Sequence, residues 1–347
     1  MISKTEQKII YPLSLLLSTD KKTAESLAKV SNTSGDTMLR LLDKSPITAE
    51  ELAHDAIAFF GTNRLKVLLD DTTLAKMYSE LIEGTGDNFD ASKNQCYRSL
   101  CSIVAMVTNG WFALPITHEF WVNKDILSDE YKTKVQIAKD IIEHLSKFIR
   151  IEALIVDGLY ATHEMLKWLQ EKNITYEMRF HSNRIIQQND QDTPTKVRDH
   201  DALKLNGKKQ ARTIKALWKG LFVYITAVKR INKKGVSSIV YQISNTKLSA
   251  REHIRLYRYR WNIEVFFRTA KQSLGLAQCQ SRKLLRQKNH VFNVFFAYVI
   301  LQFERRKKFL KNPEASLRRI KRKNYTDLIS YLSSLGQIFH NFGVANA

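Results

Sequence analysis

Two aspartates follow short apolar runs of the sequence in a similar way. Asp71 comes after residues 65–69 and Asp70, and Asp157 comes directly after residues 151–156. Short apolar runs predict buried strands, and parallel strands put their carboxyl ends at the sheet edge where ligands bind. Two carboxylates there would repel each other, and a divalent cation is the usual compensation. The alternative is that each aspartate ends its strand as a turn residue.

A third acid, Glu264, lies in a segment predicted to be one helix over residues 249–275. At 100° per residue, Tyr257, Arg260, Glu264 and Lys271 fall within a stripe of about 60° that borders the apolar face. The predicted buried face consists of Leu256, Tyr259, Ile263, Phe266, Phe267, Ala270 and Leu274. A carboxylate flanked by Arg and Lys could share a metal ion while the cations hold phosphates. The alternative is an exposed face with helical charge pairs.

The spacing Tyr257-x2-Arg260-x3-Glu264-x6-Lys271 resembles, in full, the YREK signature of the DDE transposases of bacterial insertion sequences, the IS-four family. Four residue types at three fixed spacings are a fairly specific signal. The resemblance implies that Tyr257, Arg260 and Lys271 contact the DNA ends. The likeness covers roughly residues 60–300.

The two aspartates resemble the first two catalytic acids of the same family. Asp71 is followed by two threonines, and Asp157 lies in a Val-Asp-Gly-x-Tyr segment. The resemblance therefore implies that Asp71, Asp157 and Glu264 are the catalytic acids and bind two Mg²⁺ ions, for which Mn²⁺ can substitute. Because neighbouring side chains of a strand point to opposite faces, only one of Asp70 and Asp71 can serve such a site. The family pattern places the catalytic acid just before Thr and favours Asp71.

A cut-and-paste reaction is what the resemblance implies for function. Water or a DNA 3′-hydroxyl attacks a phosphodiester, and a DNA hairpin forms at the transposon end. The implied partners are double-stranded DNA, as terminal inverted repeats and target, and a second copy of the chain in a homodimer. The implied location is the bacterial cytoplasm, in association with the nucleoid, and no membrane. Two alternatives are a non-catalytic DNA-binding repressor derived from a transposase and a stand-alone metal-dependent nuclease. The presence of all three acids and the whole signature disfavours the repressor.

The order of predicted elements gives an α/β fold with a sheet of mixed direction. The resemblance implies a ribonuclease-H-like core interrupted by a β-rich insertion, with helical regions at both ends. The predicted segments are a helical, possible DNA-binding region (1–60), the first part of the core (61–180), the insertion (181–248), the core helix with the signature (249–288) and a basic helical region (289–347).

Several local patterns support these elements. Thr48 with Glu51, and Ser249 with Glu252, are spaced as capping boxes that begin helices. Asn109-Gly110 between two apolar stretches predicts a hairpin. The strands predicted for the insertion are 212–217, 221–230 and 236–244, with a turn at residues 232–235. Residues 23–42 have helix-turn-helix proportions, and a small helical packing module is an equal alternative.

Positive charge is concentrated near the end of the chain. The 347 residues include 55 Lys+Arg and 34 Asp+Glu, a net charge of +21. Residues 251–324 hold 20 basic and four acidic residues, a net +16, whereas residues 1–60 have a net −1. The densest run is Arg305, Arg306, Lys307 and Lys308. Such clustering favours DNA contact through these four residues, and a solvated helix face is the alternative.

Composition excludes several other classes of protein. With 44% apolar and 26% charged residues, five Pro and twelve Gly, wholesale disorder and fibrous sequences are excluded. Three cysteines without a CxxC pair, and a start without a signal-peptide pattern, favour a soluble protein of a reducing compartment. The apolar run 291–303 is too short to span a bilayer and predicts a core helix. Trp218 is interpreted as a core residue rather than one that stacks on an extruded base.

Overall fold

A computed structural model describes residues 4–330 except 45–46, 91–93, 127–130, 190, 208, 233–234, 325 and 329. The middle of the turn predicted at residues 232–235 and the end of the predicted C-terminal region, from residue 331, lie outside the described residues.

The order of helices and strands in the described part agrees with the predicted order, except for three short strands that the sequence does not predict and one predicted helix that is divided in two. The helices in the described part are α1 (Lys4–Leu17), α2 (Ala24–Ser31), α3 (Gly35–Asp43), α4 (Ala49–Phe60), α5 (Lys134–Leu145), α6 (His163–Glu171), α7 (Ala250–Arg258), α8 (Trp261–Ser273), α9 (Leu284–Lys307) and α10 (Pro313–Ile320). The strands there are β1 (Arg64–Ala75), β2 (Gly86–Asp90), β3 (Gln95–Thr108), β4 (Ala113–Trp121), β5 (Arg150–Val156), β6 (Tyr176–Phe180), β7 (Ile185–Ile186), β8 (Thr195–Lys196), β9 (Ala211–Trp218), β10 (Leu221–Ile231) and β11 (Ser237–Ser244).

The chain divides into two compact units. The larger unit comprises Met1–Asn63, Asp71–Arg150 and Asn262–Ala347, and the smaller unit comprises Arg64–Asp70 and Ile151–Trp261. Strand β1 therefore contributes its first residues to the smaller unit and the rest to the larger unit.

In the larger unit, β3 pairs antiparallel with both β2 and β4. The predicted hairpin between β3 and β4 is confirmed. The side-chain oxygen of Asn109 accepts the backbone N–H groups of Trp111 and Phe112, each at 3.1 Å. Gly110 has a φ of 102°, a value that a residue with a side chain rarely adopts. The turn thus satisfies its own donors and fixes the register of two largely buried strands.

Helix α9 forms the centre of the larger unit. Nearly every side chain from residue 287 to 304 is buried, and α1, α3, α10 and β4 all contact this helix. Phe266 of α8 lies edge-on against Phe295 and Tyr298 of α9, with ring centroids 5.5 and 4.9 Å apart. The prediction that residues 291–303 form a core helix is confirmed.

Capping residues begin the helices where the sequence places them. The Thr48 side chain accepts the N–H of Glu51, and the Glu51 carboxylate accepts the N–H of Thr48. Ser249 and Glu252 make the same reciprocal pair at the start of α7. Both predicted capping boxes are confirmed, as is the helical character of the N-terminal region. Its DNA binding stays a prediction.

The smaller unit is built around β5 and β6, which pair in parallel. Strand β1 lies beside β5, and the order continues as β6-β11-β10-β9, with antiparallel pairing from β6 onward. The three strands predicted for the insertion are confirmed as β9, β10 and β11. They extend the sheet that contains β5 and β6, because β11 pairs with β6 rather than starting a separate layer. The predicted segment boundaries stay predictions.

Two local expectations were wrong. The apolar run at residues 65–69 does not end at the aspartates, because β1 continues through Asp70 and Asp71 to Ala75. The helix predicted over residues 249–275 is interrupted between α7 and α8. At the break, the N–H groups of Tyr259 and Arg260 bond to carbonyls three residues back, at 3.2 and 3.1 Å. No Gly or Pro marks this break in the sequence.

The break changes which side chains are buried. In α7 the buried residues are His253 and Tyr257, whereas Leu256 and Tyr259 of the predicted buried face are only half-buried. In α8 the predicted buried face agrees better with the observed burial. Ile263, Phe266, Ala270 and the following Leu274 are buried, and Phe267 is half-buried.

The predicted fold class is confirmed: the protein is a mixed α/β protein with parallel and antiparallel strand pairs and packed helices. Among the described helices, none combines the length and apolarity needed to cross a membrane.

A buried acid lies inside α4. Burial raises the pKa of Asp55 to about 8, and the nearby carboxylate of Glu51 raises it further against the opposing effect of Lys8. One carboxylate oxygen of Asp55 has no hydrogen-bond partner. The folded protein therefore keeps a proton on Asp55 that the unfolded chain loses near pH 4.

This buried acid predicts a pH-dependent stability. Between about pH 4 and 8 the unfolded state releases a proton that the folded state retains, so stability falls as pH rises. We expect Asp55→Asn to change the free energy of unfolding little at pH 4 and to raise it by a few kcal/mol, about 1.4 per pH unit, toward pH 8. Urea unfolding at several pH values measures this. Asp36→Asn, at an exposed acid of α3, is the control, and equal pH profiles for Asp55→Asn and wild type would contradict the prediction.

Candidate active site

Asp71 lies in the middle of β1, and its carboxylate pairs with the first residue of α5. The Lys134 ammonium is 2.6 Å from Oδ2 of Asp71. The Cys101 thiol of β3 also donates to Oδ2, at 3.6 Å. Thr133 begins α5 by accepting the N–H of Gln136, which fixes the start of the helix and so the base of the Lys134 side chain.

Lys134 is a site residue that the sequence reasoning missed. Burial lowers its pKa, but Cys101 and Asp71 outweigh this effect and hold the pKa of Lys134 above its usual value. Burial raises the pKa of the Cys101 thiol to about 12, so the thiol stays protonated. Lys134 is therefore a firmly charged cation on Asp71, and its ammonium also lies 5.2 Å from the Trp121 ring centroid. Its position at the start of a predicted helix was the only signal in the sequence.

Asp70 has a different partner. Nη1 of Arg260 donates to Oδ2 of Asp70 at 2.9 Å, and less than a fifth of each side chain is exposed. Both residues belong to the smaller unit. The arginine of the four-residue signature is therefore attached to β1, at the residue before Asp71.

Asp157 directly follows β5 and contacts another residue of the signature. The Tyr257 hydroxyl is 3.4 Å from Oδ1 of Asp157, and the Arg260 guanidinium lies 5.9 Å from the Tyr257 ring centroid. Burial raises the pKa of Tyr257 to about 12, because desolvation and Asp157 outweigh the opposing arginines. The phenol therefore stays protonated and acts as a donor rather than a nucleophile.

A buried pair fixes α7 against β6. Nδ1 of His253 lies 2.7 Å from Oε2 of Glu177, and neither side chain is exposed. Burial raises the pKa of Glu177 to about 7, against the opposing effect of His253. His253 lies one helical turn before Tyr257, so the Glu177–His253 pair helps to fix the position of Tyr257 relative to β6. His253 is therefore a structural residue.

Glu264 and Lys271 lie on α8, and both are half-buried. They belong to the larger unit with Asp71, whereas Asp157 belongs to the smaller unit. Their roles stay predictions.

The three predicted acids suit a hard divalent cation by their chemistry, because carboxylate oxygens are the ligands that Mg²⁺ prefers. Each of Asp71, Asp157 and Glu264 is only partly buried. The residues that the structure describes contain no group of three His, Cys, Asp or Glu side chains gathered closely enough to hold a metal ion. The donor type fits the ion, and the ligand set stays a prediction.

The basic run Arg305–Lys308 divides into two kinds of residue. Arg305 donates to the Trp111 carbonyl at 3.1 Å and lies 4.7 Å from the Phe112 ring centroid. Arg306 donates to the Phe59 carbonyl and covers the Phe59 ring at 4.9 Å. Both arginines therefore have structural partners within the larger unit.

Several other basic residues near the end of the described part of the chain have exposed side chains. They are Lys307, Lys308, Lys311, Arg318, Lys321 and Arg322. Arg319 instead pairs with the buried Glu304, at 2.8 Å. A DNA contact by the exposed residues stays a prediction.

Trp218 is buried, as the sequence reasoning favoured. Its ring packs edge-on against Phe180, with centroids 5.2 Å apart, and the Arg184 guanidinium lies 5.9 Å from it. A core role for Trp218 in the smaller unit is confirmed.

The packing of Arg306 predicts a stability effect that its neighbour Lys308 does not share. We expect Arg306→Ala to lower the free energy of unfolding by about 1–2 kcal/mol, because it removes the donor to a carbonyl and a cation–π contact. Lys308→Ala, the matched control, should change it by less than about 0.5 kcal/mol. Chemical denaturation of both variants measures this, and equal effects would show that Arg306 is not held at Phe59.

A comparison with known families gives a match. A family model described as the transposase DDE domain matches residues 120–300, more than half of the chain. The matched stretch includes Asp157 and all four residues of the signature. No curated protein matches the sequence significantly. Because the match covers more than half of the chain, the chain belongs to the transposase DDE domain family.

Proposed function

We propose that this transposase is of the IS-four type and excises an insertion sequence by a cut-and-paste reaction. The observation that carries the proposal lies within the smaller unit. Tyr257 contacts Asp157, and Arg260 contacts Asp70, the chain neighbour of Asp71. Two residues of the signature thus contact aspartates at the two strands that carry the predicted catalytic acids Asp71 and Asp157. Charges that merely lined an exposed helix face would not be expected to make such contacts.

Asp71, Asp157 and Glu264 would hold two Mg²⁺ ions, for which Mn²⁺ can substitute. When bound, the ions supply activation of the attacking oxygen and stabilisation of the leaving oxygen. The Tyr257 phenol donates to Asp157 and restricts the orientation of that carboxylate. A guanidinium carries five N–H donors, more than one carboxylate uses, so Arg260 can hold a phosphate while Asp70 fixes its position.

The reaction then proceeds without a covalent protein–DNA intermediate. Water attacks the phosphorus at the transposon end, and the bond to the 3′ oxygen breaks, which leaves a free 3′-hydroxyl. That hydroxyl attacks the phosphorus of the opposite strand, whose bond to the 3′ oxygen of the flanking DNA breaks, so that a hairpin closes and the flanking DNA leaves with a 3′-hydroxyl. Water then reopens the hairpin before transfer of the end to the target. Lys271 would contribute a further phosphate contact. Two ends react together, so we propose a homodimer as the active form, acting on DNA of the bacterial nucleoid.

The acids give the first test of this proposal. We expect Asp71→Asn and Glu264→Gln to fold, to bind a duplex that carries the terminal repeat flanking the gene, and to lose at least about 100-fold in nicking, because each removes a charge that the cations require. Asp70→Asn should lose less, since it only releases Arg260. Nicking of the labelled duplex, measured beside binding in Mg²⁺ and in Mn²⁺, checks this.

The outcomes separate three explanations. Wild-type nicking by Glu264→Gln would contradict the three-carboxylate mechanism. Inactive Asp70→Asn with active Asp71→Asn would mean that the catalytic acid is the other aspartate. Cleavage without any joining of ends to target DNA would identify a stand-alone nuclease.

The exposed basic run gives a second test. Because each phosphate contact releases counterions, we expect replacement of Lys307 and Lys308 by Gln to reduce the slope of log K against log salt concentration by about two. Lys147→Gln with Arg150→Gln, at exposed residues of the larger unit, is the control for lost charge. An unchanged slope in the first variant would show that Lys307 and Lys308 do not contact DNA.

A further inference from the structure

Residues 275–283, between α8 and α9, form a segment without helix or strand that is nevertheless held by many hydrogen bonds. We call this segment the anchored loop. It follows the helix that carries Glu264 and Lys271, and it lies entirely in the larger unit. Its sequence is Gly-Leu-Ala-Gln-Cys-Gln-Ser-Arg-Lys, and it exposes Gln280, Arg282 and Lys283.

The first anchor is a buried lysine. Lys76 directly follows β1, the strand of Asp71, and only 4% of it is exposed. Its ammonium donates to the carbonyls of Ala277 and Cys279 of the anchored loop, at 3.0 and 2.6 Å. Burial lowers the pKa of Lys76 to about 8. Burying an ammonium has a considerable cost, and here its donors are used to fix loop carbonyls.

Further anchors fix both ends of the loop. The side-chain amide of Gln287 donates to the carbonyls of Cys279 and Ser281, at 3.2 and 2.6 Å. The backbone N–H of Glu83 donates to the Arg282 carbonyl at 2.9 Å. The Glu83 carboxylate also accepts the N–H of Leu284, at 2.8 Å, at the start of α9.

At the start of the loop, two successive hydrogen bonds, from Tyr11 to His290 and from His290 to Gly275, hold the chain in place. Burial lowers the pKa of His290 to about 4, so the ring is neutral. One ring nitrogen donates to the Gly275 carbonyl and the other accepts from the Tyr11 hydroxyl, both at 2.9 Å. Gly275 has a φ of +71°, and a Cβ there would lie 2.3 Å from Cγ of Lys22. Glycine is therefore required for the chain to pass over Lys22.

The loop borders a strongly basic cavity. A cavity of about 490 Å³ is lined by Lys22, Arg282, Lys283 and Arg286, and no carboxylate is among the described residues that line it. Arg286 donates two hydrogen bonds of 2.7 Å to Asp43, which is not among the residues that line the cavity. Burial lowers the pKa of Lys22 to about 8, and the positive charge of Lys321 lowers it further, against Asp20. Asp43 compensates the charge of Arg286, and an anion would relieve the repulsion among the other cations.

We propose that the anchored loop is a DNA-contact element, in which Arg282 and Lys283, together with Lys22 and Arg286, bind a backbone phosphate of the transposon end. The inference rests on the proposed transposase function. A surface loop that is fixed at five carbonyl groups presents its cations in one geometry, which lowers the entropy lost on binding DNA. Lys76 is a positioning residue: it connects the end of the Asp71 strand to this loop and does not itself touch DNA.

The decisive experiment compares two double variants by binding of the labelled end duplex over a range of salt concentrations. We expect Arg282→Gln with Lys283→Gln to weaken binding and to reduce the salt slope by about two. Lys147→Gln with Arg150→Gln, which removes the same charge elsewhere in the larger unit, should keep the wild-type slope. Identical slopes for the two double variants would overturn the proposal.

A second measurement tests the positioning role of Lys76. Lys76→Met keeps the length of the side chain but removes its donors, so we expect faster amide exchange in residues 277–283 and weaker end binding. Adding Lys76→Met to the Arg282/Lys283 double variant should cause little further loss, whereas a merely structural lysine would give additive losses. If Lys76→Met does not fold, the two double variants still decide the proposal.

Other results have distinct meanings. If wild-type protein neither binds nor cuts end DNA, the proposed function fails, whereas wild-type behaviour of the Arg282/Lys283 double variant overturns the loop proposal alone. Inorganic phosphate is the final probe. Thermal stabilisation by millimolar phosphate that is lost in this double variant, with duplex binding unchanged, would identify a site for free phosphate and overturn the assignment to DNA.

Discussion

In strand β1, side chains alternate between the two faces of the backbone, so the adjacent aspartates at its middle cannot share a partner. Asp70 accepts the Arg260 guanidinium, and Asp71 accepts the Lys134 ammonium. Each carboxylate thereby receives a cation of its own, which offsets the repulsion of two neighbouring negative charges. The rest of the candidate site depends on this alternation, because it decides which aspartate accepts Arg260 and which accepts Lys134.

The break between α7 and α8 lies beside two residues, Tyr257 and Arg260, that contact the aspartates of the smaller unit. One continuous helix fixes the angle between Tyr257, Arg260, Glu264 and Lys271 by its 3.6-residue period. In the structure, Tyr257 and Arg260 bond to Asp157 and Asp70, and the hydrogen bonds at Tyr259 and Arg260 tighten to span three residues. The break thus coincides with contacts made by two side chains, and helix propensity, worth only tenths of a kcal/mol per residue, does little to oppose it.

Buried polar groups in this protein serve to position backbone and helices. The Glu177–His253 pair holds α7, and Lys76 and Gln287 hold the anchored loop. Each of these groups loses its hydration on burial, and only good hydrogen bonds compensate for that loss.

Charged residues that are close to one another in the sequence have different roles. Arg306 is held on Phe59, while Lys308 faces solvent.

Much of the fold could be predicted from the sequence, because its signals are local. The capping boxes at Thr48 and Ser249, the Asn109-Gly110 hairpin and the insertion strands depend on residues near one another in the chain, and all were confirmed. Membership of the transposase DDE domain family was also accessible from the sequence, since residue types at fixed spacings indicate it.

Only the tertiary structure decided the partners of these residues. The attachment of Arg260 to Asp70 joins residues that are 190 positions apart, and Lys76 reaches carbonyls more than 200 positions away. No local pattern encodes such pairs, because an ammonium or guanidinium takes whichever acceptor the packing of strands and helices brings within about 3 Å. For the same reason the sequence predicted a basic C-terminal region, but not that Arg305 and Arg306 donate to backbone carbonyls while Lys308 is exposed.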